Sequence, residues 1–157
     1  MVYSVFIDGA AGTTGLQVHN RLQTRTDLSV HVLDDRQRKD SDARAKAMAN
    51  ADVTILCLPD EAAVQAGQIA KTSGSRLIDA SSAHRVAPDF TYGFAEMNPG
   101  QQDAIRSAQF VSNPGCYPTG FLGLIAPLRQ AGFLSSLAHL SAVCVSGYTG
   151  GGKAMIA

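Results

Sequence analysis

Short apolar runs alternate along the chain with helix-length stretches and glycine- or proline-marked turns. Val2 to Ile7 is a continuous apolar run closed by Asp8-Gly9, the pattern of a strand buried on both faces. Similar runs recur at Leu28 to Leu33, Ala51 to Leu58, Arg76 to Asp79, Phe110 to Ser112 and Leu140 to Ser146. Helical spacing fills the gaps. Leu16, His19 and Leu22 share a helical face, Asp40 or Ser41 opens an alanine-rich helix to about Asn50, and Pro59-Asp60 opens another that ends at Gly74. Pro99 suits the first position of a helix to about Ala108. Phe121, Leu122, Ile125 and Leu128 mark the core face of a last helix from near Pro118, which Pro127 should kink or restart. Strands alternating with helices predict an α/β fold with a Rossmann-like doubly wound parallel sheet.

Composition narrows the class without deciding it. The apolar share of 45% is ample for a core, and 13 basic residues balance 13 acidic ones with no cationic face, so neither a nucleic-acid nor a membrane-surface partner is expected. Val2 to Ile7 enters a strand directly, with no leader-like pattern, and no apolar run nears the roughly 20 residues of a membrane span. A cytoplasmic protein is the expectation. Cys57, Cys116 and Cys144 are an odd set without C-x-x-C spacing, which disfavours disulfides and a metal site. Cys57 and Cys144, each inside an apolar run, read as packing thiols.

The chemistry lies between the elements. Gly9-Ala10-Ala11-Gly12-Thr13-Thr14-Gly15 joins the first strand to the first helix, where a diphosphate could approach backbone N–H groups. Its G-x-x-G-x-x-G spacing is not the commoner G-x-G-x-x-G, and the same turn could simply join strand to helix. After the second strand, Asp34 and Asp35 would suit a free ribose hydroxyl, and Arg36 or Arg38 a 2′-phosphate; the reading leans to NADP through the arginines. Leu58 and Pro59 border the same edge. Ala80 to Arg85 is a polar loop there in which Arg85 could hold an anion, while His84 reads as an exposed loop histidine. Thr91 to Asn98 is an aromatic, irregular connection whose Glu96 could orient a group or cap a turn. Ser112-Asn113-Pro114-Gly115-Cys116-Tyr117-Pro118-Thr119 sets a thiol at a strand-to-helix turn, where outward N–H groups favour a thiolate. Gly147-Tyr148-Thr149-Gly150-Gly151-Gly152-Lys153 is a second glycine loop, with neither the spacing nor the hydroxyl of a Walker A motif. It needs packing partners beyond Ala157, and a longer protein is therefore expected.

On the residues Asp8 to Gly15, Asn113 to Thr119 and Ser146 to Lys153, taken together, the chain resembles the N-acetyl-γ-glutamyl-phosphate reductase family, nearest its type 2 branch, within the aspartate-semialdehyde dehydrogenase superfamily. The resemblance implies NADPH-dependent reduction of an acyl phosphate to an aldehyde in arginine biosynthesis, with phosphate release through a cysteine thioester. It implies Cys116 as nucleophile, with Gly9, Gly12, Thr13, Thr14, Gly15, Arg36, Arg38, Leu58, Pro59, Gly147 and Gly150 around NADP. Arg85, Asn113, Ser146 and Lys153 fall to the substrate, and no metal is expected. It further implies an NADP-binding domain over residues 1–115, the beginning of an α+β substrate and dimerisation domain over 116–157, and a homo-oligomer at full length. The family's acid/base histidine lies downstream of the second glycine loop, so His19, His31, His84 and His139 are not assigned that role, and this chain alone is expected to be inactive. Two other readings stay open: an aspartate-semialdehyde dehydrogenase-like enzyme, and a non-catalytic NADP-binding module with Cys116 as a redox sensor.

Overall fold

The computed structural model describes residues 1–147 and Gly150. Among these residues six parallel strands form one sheet: β1 (Tyr3–Asp8), β2 (Leu28–His31), β3 (Val53–Leu56), β4 (Leu77–Asp79), β5 (Thr91–Tyr92) and β6 (Phe110–Ser112), in the order β2-β1-β3-β4-β6-β5. Among the described residues five helices connect or follow them: α1 (Thr13–Leu22), α2 (Ser41–Ala49), α3 (Asp60–Ser73), α4 (Gln101–Ser107) and α5 (Cys116–Gln130). The winding reverses at β1. The chain steps from β1 to β2 on one side, then crosses back over β1 to β3 and β4. Right-handed crossovers put α1 on one face and α2 and α3 on the other, the doubly wound arrangement expected.

Pattern explains which strands are central. Val5, Phe6 and Ile7 are all buried, as a strand covered on both faces requires, whereas every residue of edge strand β2 keeps some exposure. Phe6, Leu56 and Leu77 pack under Met48 of α2 and Ala63, Ala66 and Ala70 of α3. Small alanines let α3 lie close to the sheet. Asp40 starts α2, its carboxylate accepting from the N–H groups of Asp42 and Ala43, and Gly74 ends α3 in the left-handed conformation at φ 71°.

Register lines up one row with three polar members. Asp8 pairs Leu56, Leu56 pairs Asp79, and Asp79 pairs Ser112, so these four side chains cross the carboxyl edge of the sheet on the α2/α3 face. All four are buried. Asp8 is held by Arg44 of α2, whose Nε and Nη2 donate to Oδ2 at 2.9 and 2.7 Å. Burial pushes the Asp8 carboxyl above its ordinary range, and the Arg44 guanidinium pulls it back.

Several local expectations change. Leu140 to Ser146 forms no strand: it pairs with none of the six strands and lies along α5 instead. Cys144 is therefore exposed, not packed, as are Val143 and Val145. Leu16 is exposed because α1 sits on the sheet through Gly15, with Val18, His19 and Leu22 half-buried. In α5 no residue is fully buried; Leu122 and Ile125 are half-covered beside Met97 and Asn98, while Phe121 and Leu128 face outward. That helix begins at Cys116, two residues before Pro118, and continues through Pro127 to Gln130 without restarting. Pro99 precedes the cap Gly100 and does not occupy the first turn of α4. Thr91 and Tyr92, expected to be irregular, pair with β6 as a short edge strand.

The Asp8–Arg44 pair generates a stability prediction. Arg44→Met should leave the Asp8 carboxylate buried without its partner and lower the unfolding free energy by about 3–5 kcal/mol, measured by denaturant titration; the Asp8→Asn/Arg44→Met double variant should recover much of that loss.

Candidate functional site

The carboxyl edge of the sheet collects the turns that follow β1, β3, β4 and β6. Gly9 has φ 93°, and a Cβ there would meet the Cys57 carbonyl, its carbon at 2.8 Å. Gly15 is equally constrained. Its Cβ would strike the Gly9 carbonyl oxygen and lie 2.8 Å from Ala10 Cα, so glycine is required for α1 to approach β1. Gly12 is different, because a Cβ there would find only ordinary contacts, 3.4 Å from the Gly9 oxygen and 3.7 Å from the Cys57 oxygen. It is the N-cap of α1, and no side chain caps that end. The N–H groups of Thr13, Thr14 and Gly15 in the first turn thus lack intrahelical partners and suit an anion.

Two clefts share Gly12, Cys57, Leu58 and Pro59 and make one groove. One end reaches Asp35 and Arg38 after β2; the other reaches Thr13, Thr14 and Ala80 at the start of the loop after β4. Arg38 lines the groove, paired with Asp35 at 3.0 Å, whereas Arg36 does not line it. Asp34 is engaged locally, its Oδ1 accepting from the N–H groups of Arg36 and Gln37. Cys57 lies in the groove wall, and burial pushes its thiol up to about 11, which suits a packing residue.

Beyond the groove, the loop Ala80 to Arg85 is built on Asp79. Asp79 Oδ1 accepts from Ser81 N–H at 2.9 Å, and Oδ2 accepts from Ser81 Oγ at 2.7 Å and His84 Nδ1 at 2.6 Å. His84 is thus no exposed loop residue: only 12% of its side chain is accessible, and its ring stacks on Phe90 with centroids 4.2 Å apart. A buried acid needed a donor, and the histidine five residues on supplies it. Asp60 at the start of α3 anchors the same loop, accepting from Ser82 N–H at 3.0 Å and from Ser82 Oγ. The hydroxyl of Ser82 is the main reason the Asp60 carboxyl sits below its ordinary range.

The turn after β6 adjoins that loop. Asn113 N–H donates to the Asp79 carbonyl at 2.7 Å, and a Cβ on buried Gly115 would lie 2.7 Å from Arg85 Nη1. Arg85 therefore rests against the N-cap of α5. Its Nε is buried and has no hydrogen-bond partner among the described residues. Cys116 is the first residue of α5 and exposed. Pro118 has no N–H and Thr119 N–H bonds to the Gly115 carbonyl, which leaves the N–H groups of Cys116 and Tyr117 free of intrahelical bonds.

The edge thus brings together Gly9, Gly12, Thr13, Thr14, Arg38, Leu58 and Pro59 along the groove, with Gly15 buried against Gly9 behind it, and Arg85, Asn113 and Cys116 beyond it. Ser146, Gly147 and Gly150 are exposed and lie outside the groove lining; Lys153 falls outside the described residues. His84 and Asp79 escaped the sequence reading, although an acid on the same strand face as Leu77 was a signal that a partner must be near.

Known proteins resemble this chain in sequence and in fold. Residues 34–105 match the family model described as semialdehyde dehydrogenase, NAD binding domain. N-acetyl-gamma-glutamyl-phosphate reductase 2 of Nostoc sp. is 52% identical over 97% of this chain and 47% of its own length. Residues 34–105 are thus a semialdehyde dehydrogenase NAD-binding domain. The reductase of Brucella anthropi is 51% identical over 98% of the chain and 50% of its own length, so the chain spans about half the length of the curated relatives it matches. Among solved structures, aspartate semialdehyde dehydrogenase II of Vibrio cholerae superposes with TM-score 0.72 at 20% identity, over 99% of this chain and 50% of its own. The Candida albicans enzyme, solved with NADP, gives 0.65 at 15% identity over 82% of this chain and 47% of its own. At those identities the likeness is one of fold.

The glycine geometry separates two roles within this family domain. Gly15→Ala should lower stability by roughly 1–3 kcal/mol through the clash with backbone, whereas Gly12→Ala should cost less than about 1 kcal/mol. Gly12→Ala should nonetheless weaken nicotinamide dinucleotide binding about tenfold by crowding the first-turn N–H groups, as titration calorimetry beside thermal unfolding would show.

Proposed function

We propose that the full-length protein containing this chain reduces N-acetyl-γ-glutamyl phosphate to N-acetylglutamate 5-semialdehyde, with NADPH as reductant, in arginine biosynthesis. The observation that carries this reading is the placement of Cys116 at the first position of α5, next to the Arg85 guanidinium and one strand beyond the loop where the groove ends. The reductase relatives, about half identical across nearly the whole chain, support it.

The groove fits a dinucleotide. Gly12 presents no Cβ over the free N–H groups of Thr13, Thr14 and Gly15, which would hold the diphosphate, and Arg38 stands at the far end for a 2′-phosphate. Leu58 and Pro59 would line the path between them. Bound NADPH supplies the hydride that reduces the thioester carbonyl.

The chain's own residues supply the acyl transfer. Cys116 Sγ, as thiolate, attacks the acyl carbon; the S–C bond forms, and the C–O bond to phosphate breaks with its electron pair leaving on phosphate. The free N–H groups of Cys116 and Tyr117 are the donors available to the developing oxyanion. Arg85 meets the departing phosphate with its buried Nε and with Nη1 beside Gly115. Asn113, Ser146 and Lys153 are assigned to the substrate side, and Gly147 and Gly150 to the approach between substrate and nicotinamide. None of the four histidines carries the acid/base role; His84 Nδ1 is engaged by Asp79. We assign residues 1–115 to the cofactor domain and residues from 116 to the start of the substrate domain, in a cytoplasmic homo-oligomer. No helix among the described residues is long and apolar enough to cross a membrane.

Phosphate-dependent NADP reduction by the semialdehyde, assayed on the full-length protein, tests the reading. Cys116→Ser should lower kcat at least about a thousandfold with cofactor affinity retained, and unchanged turnover would sink the mechanism. Arg38→Ala should raise the Kd for NADP about tenfold and leave that for NAD within about twofold, since only the former carries the 2′-phosphate; equal losses for both would remove Arg38 from that role.

A further inference from the structure

We propose that the Asp79–His84 pair is a positioning device for Arg85, and that through it His84 sets the affinity of the site for phosphate without touching substrate. This inference rests on the reading of Arg85 as the phosphate ligand given above.

His84 is held from every side. Carboxylate oxygens only accept, so Nδ1 carries the proton and donates to Asp79 Oδ2 at 2.6 Å. The ring lies nearly parallel to Phe90, at 7°, and Phe90 in turn stacks on Phe110 of β6 with centroids 5.3 Å apart. On α3, a Cβ added to Gly67 would lie 3.2 Å from both Cε1 and Nε2, so the helix presents bare backbone where the imidazole passes. The imidazole is thus fixed by a fully buried acid, an aromatic ring and a helix.

Arg85 is the next residue; Ser81 and Ser82, held by Asp79 and Asp60, anchor the loop on its other side, and the Asp60 carboxylate attracts its guanidinium. Its backbone N–H makes only a long 3.4 Å bond to the Ser82 carbonyl, and its buried Nε has no partner among the described residues. The guanidinium lies against Gly115, one residue along the chain from the imidazole that Asp79 holds. A buried, unpartnered guanidinium N–H is costly unless a ligand takes it, and an anion at the start of α5 is the group that would. The same Asp79 also fixes the other side of the site, because its carbonyl accepts from Asn113 N–H at 2.7 Å. One residue therefore registers the arginine loop against the cysteine turn.

Two substitutions separate the hydrogen bond from the ring. His84→Phe keeps a ring on Phe90 and removes the donor to Asp79; His84→Asn keeps a donor close to the Nδ1 position and removes the ring. In the full-length protein, with inorganic phosphate as the varied substrate and the semialdehyde and NADP saturating, His84→Phe should raise KM for phosphate about tenfold or more, with kcat changed less than about threefold and the Kd for NADP unchanged. His84→Asn should return KM to within about threefold of the parent. Should His84→Phe fail to fold, His84→Asn alone decides: near-parental KM supports the device, and a KM as high as that of Arg85→Lys overturns it. Parental KM in His84→Phe, with KM still raised in Arg85→Lys, overturns the positioning role and leaves the reading of the site standing. Parental KM in both variants removes Arg85 from phosphate binding and this inference with it, and a full-length protein without phosphate-dependent turnover overturns the functional reading itself.

Discussion

The sheet's carboxyl edge is organised by a problem of burial. Asp8, Leu56, Asp79 and Ser112 stand in register across four adjacent strands, all beneath α2 and α3. An acid cannot stay there unpaired, so each one recruits a partner that fixes a neighbouring segment. Asp8 draws Arg44 in from α2 and thereby ties that helix under the glycine turn. Asp79 draws in Ser81 and His84 and folds the polar loop back on the strand end. Both charges are structural, and both sit directly below the groove that a ligand would occupy. The cost of burying them is offset by turns held in one geometry.

Much of this was legible in the chain because the relevant signals are local. The apolar runs at Val2 to Ile7 and Ala51 to Leu58 announced central strands, Asp40 and Gly74 announced helix ends, and the Asn113-Pro114-Gly115-Cys116 turn announced a thiol at a helix start. What failed depended on distant neighbours. Leu140 to Ser146 has a strand's composition but pairs with no strand among the described residues, and propensity cannot supply a partner. Phe121 and Leu128 have helical spacing, yet spacing says only that a face is apolar, not that something covers it. Arg44 lies in an alanine-rich helix with no pronounced apolar face and meets an acid 36 residues earlier, a contact visible only in three dimensions.

The glycines show the same division between local and tertiary cause. A spacing motif treats Gly9, Gly12 and Gly15 alike, but the backbone does not. Gly9 is fixed by its positive φ and the Cys57 carbonyl, and Gly15 by the Gly9 carbonyl. Gly12 alone has room for a methyl group, so the packing of the turn does not itself require glycine there. The departure from the commoner spacing thus leaves the work of the turn intact: two positions let the helix reach the strand, and one leaves its amide groups open.

Topology then turns sequence order into spatial order. The winding reverses at β1, so β1, β3, β4 and β6 lie side by side, and the turns after them follow one another along the edge as they do along the chain. At about 4.8 Å per strand, three steps separate the glycine turn from the cysteine turn by roughly 14 Å, and Arg38 lies one strand farther out. A compact ligand could not engage both ends. An extended one, lying from Arg38 across Gly12 toward Ala80, would pass each turn once and end beside the loop that holds Arg85 against Gly115. On the proposed mechanism, a nucleophile placed beyond that end would receive the substrate from the β6 side while the reductant arrived along the groove, so that the two would not compete for one pocket.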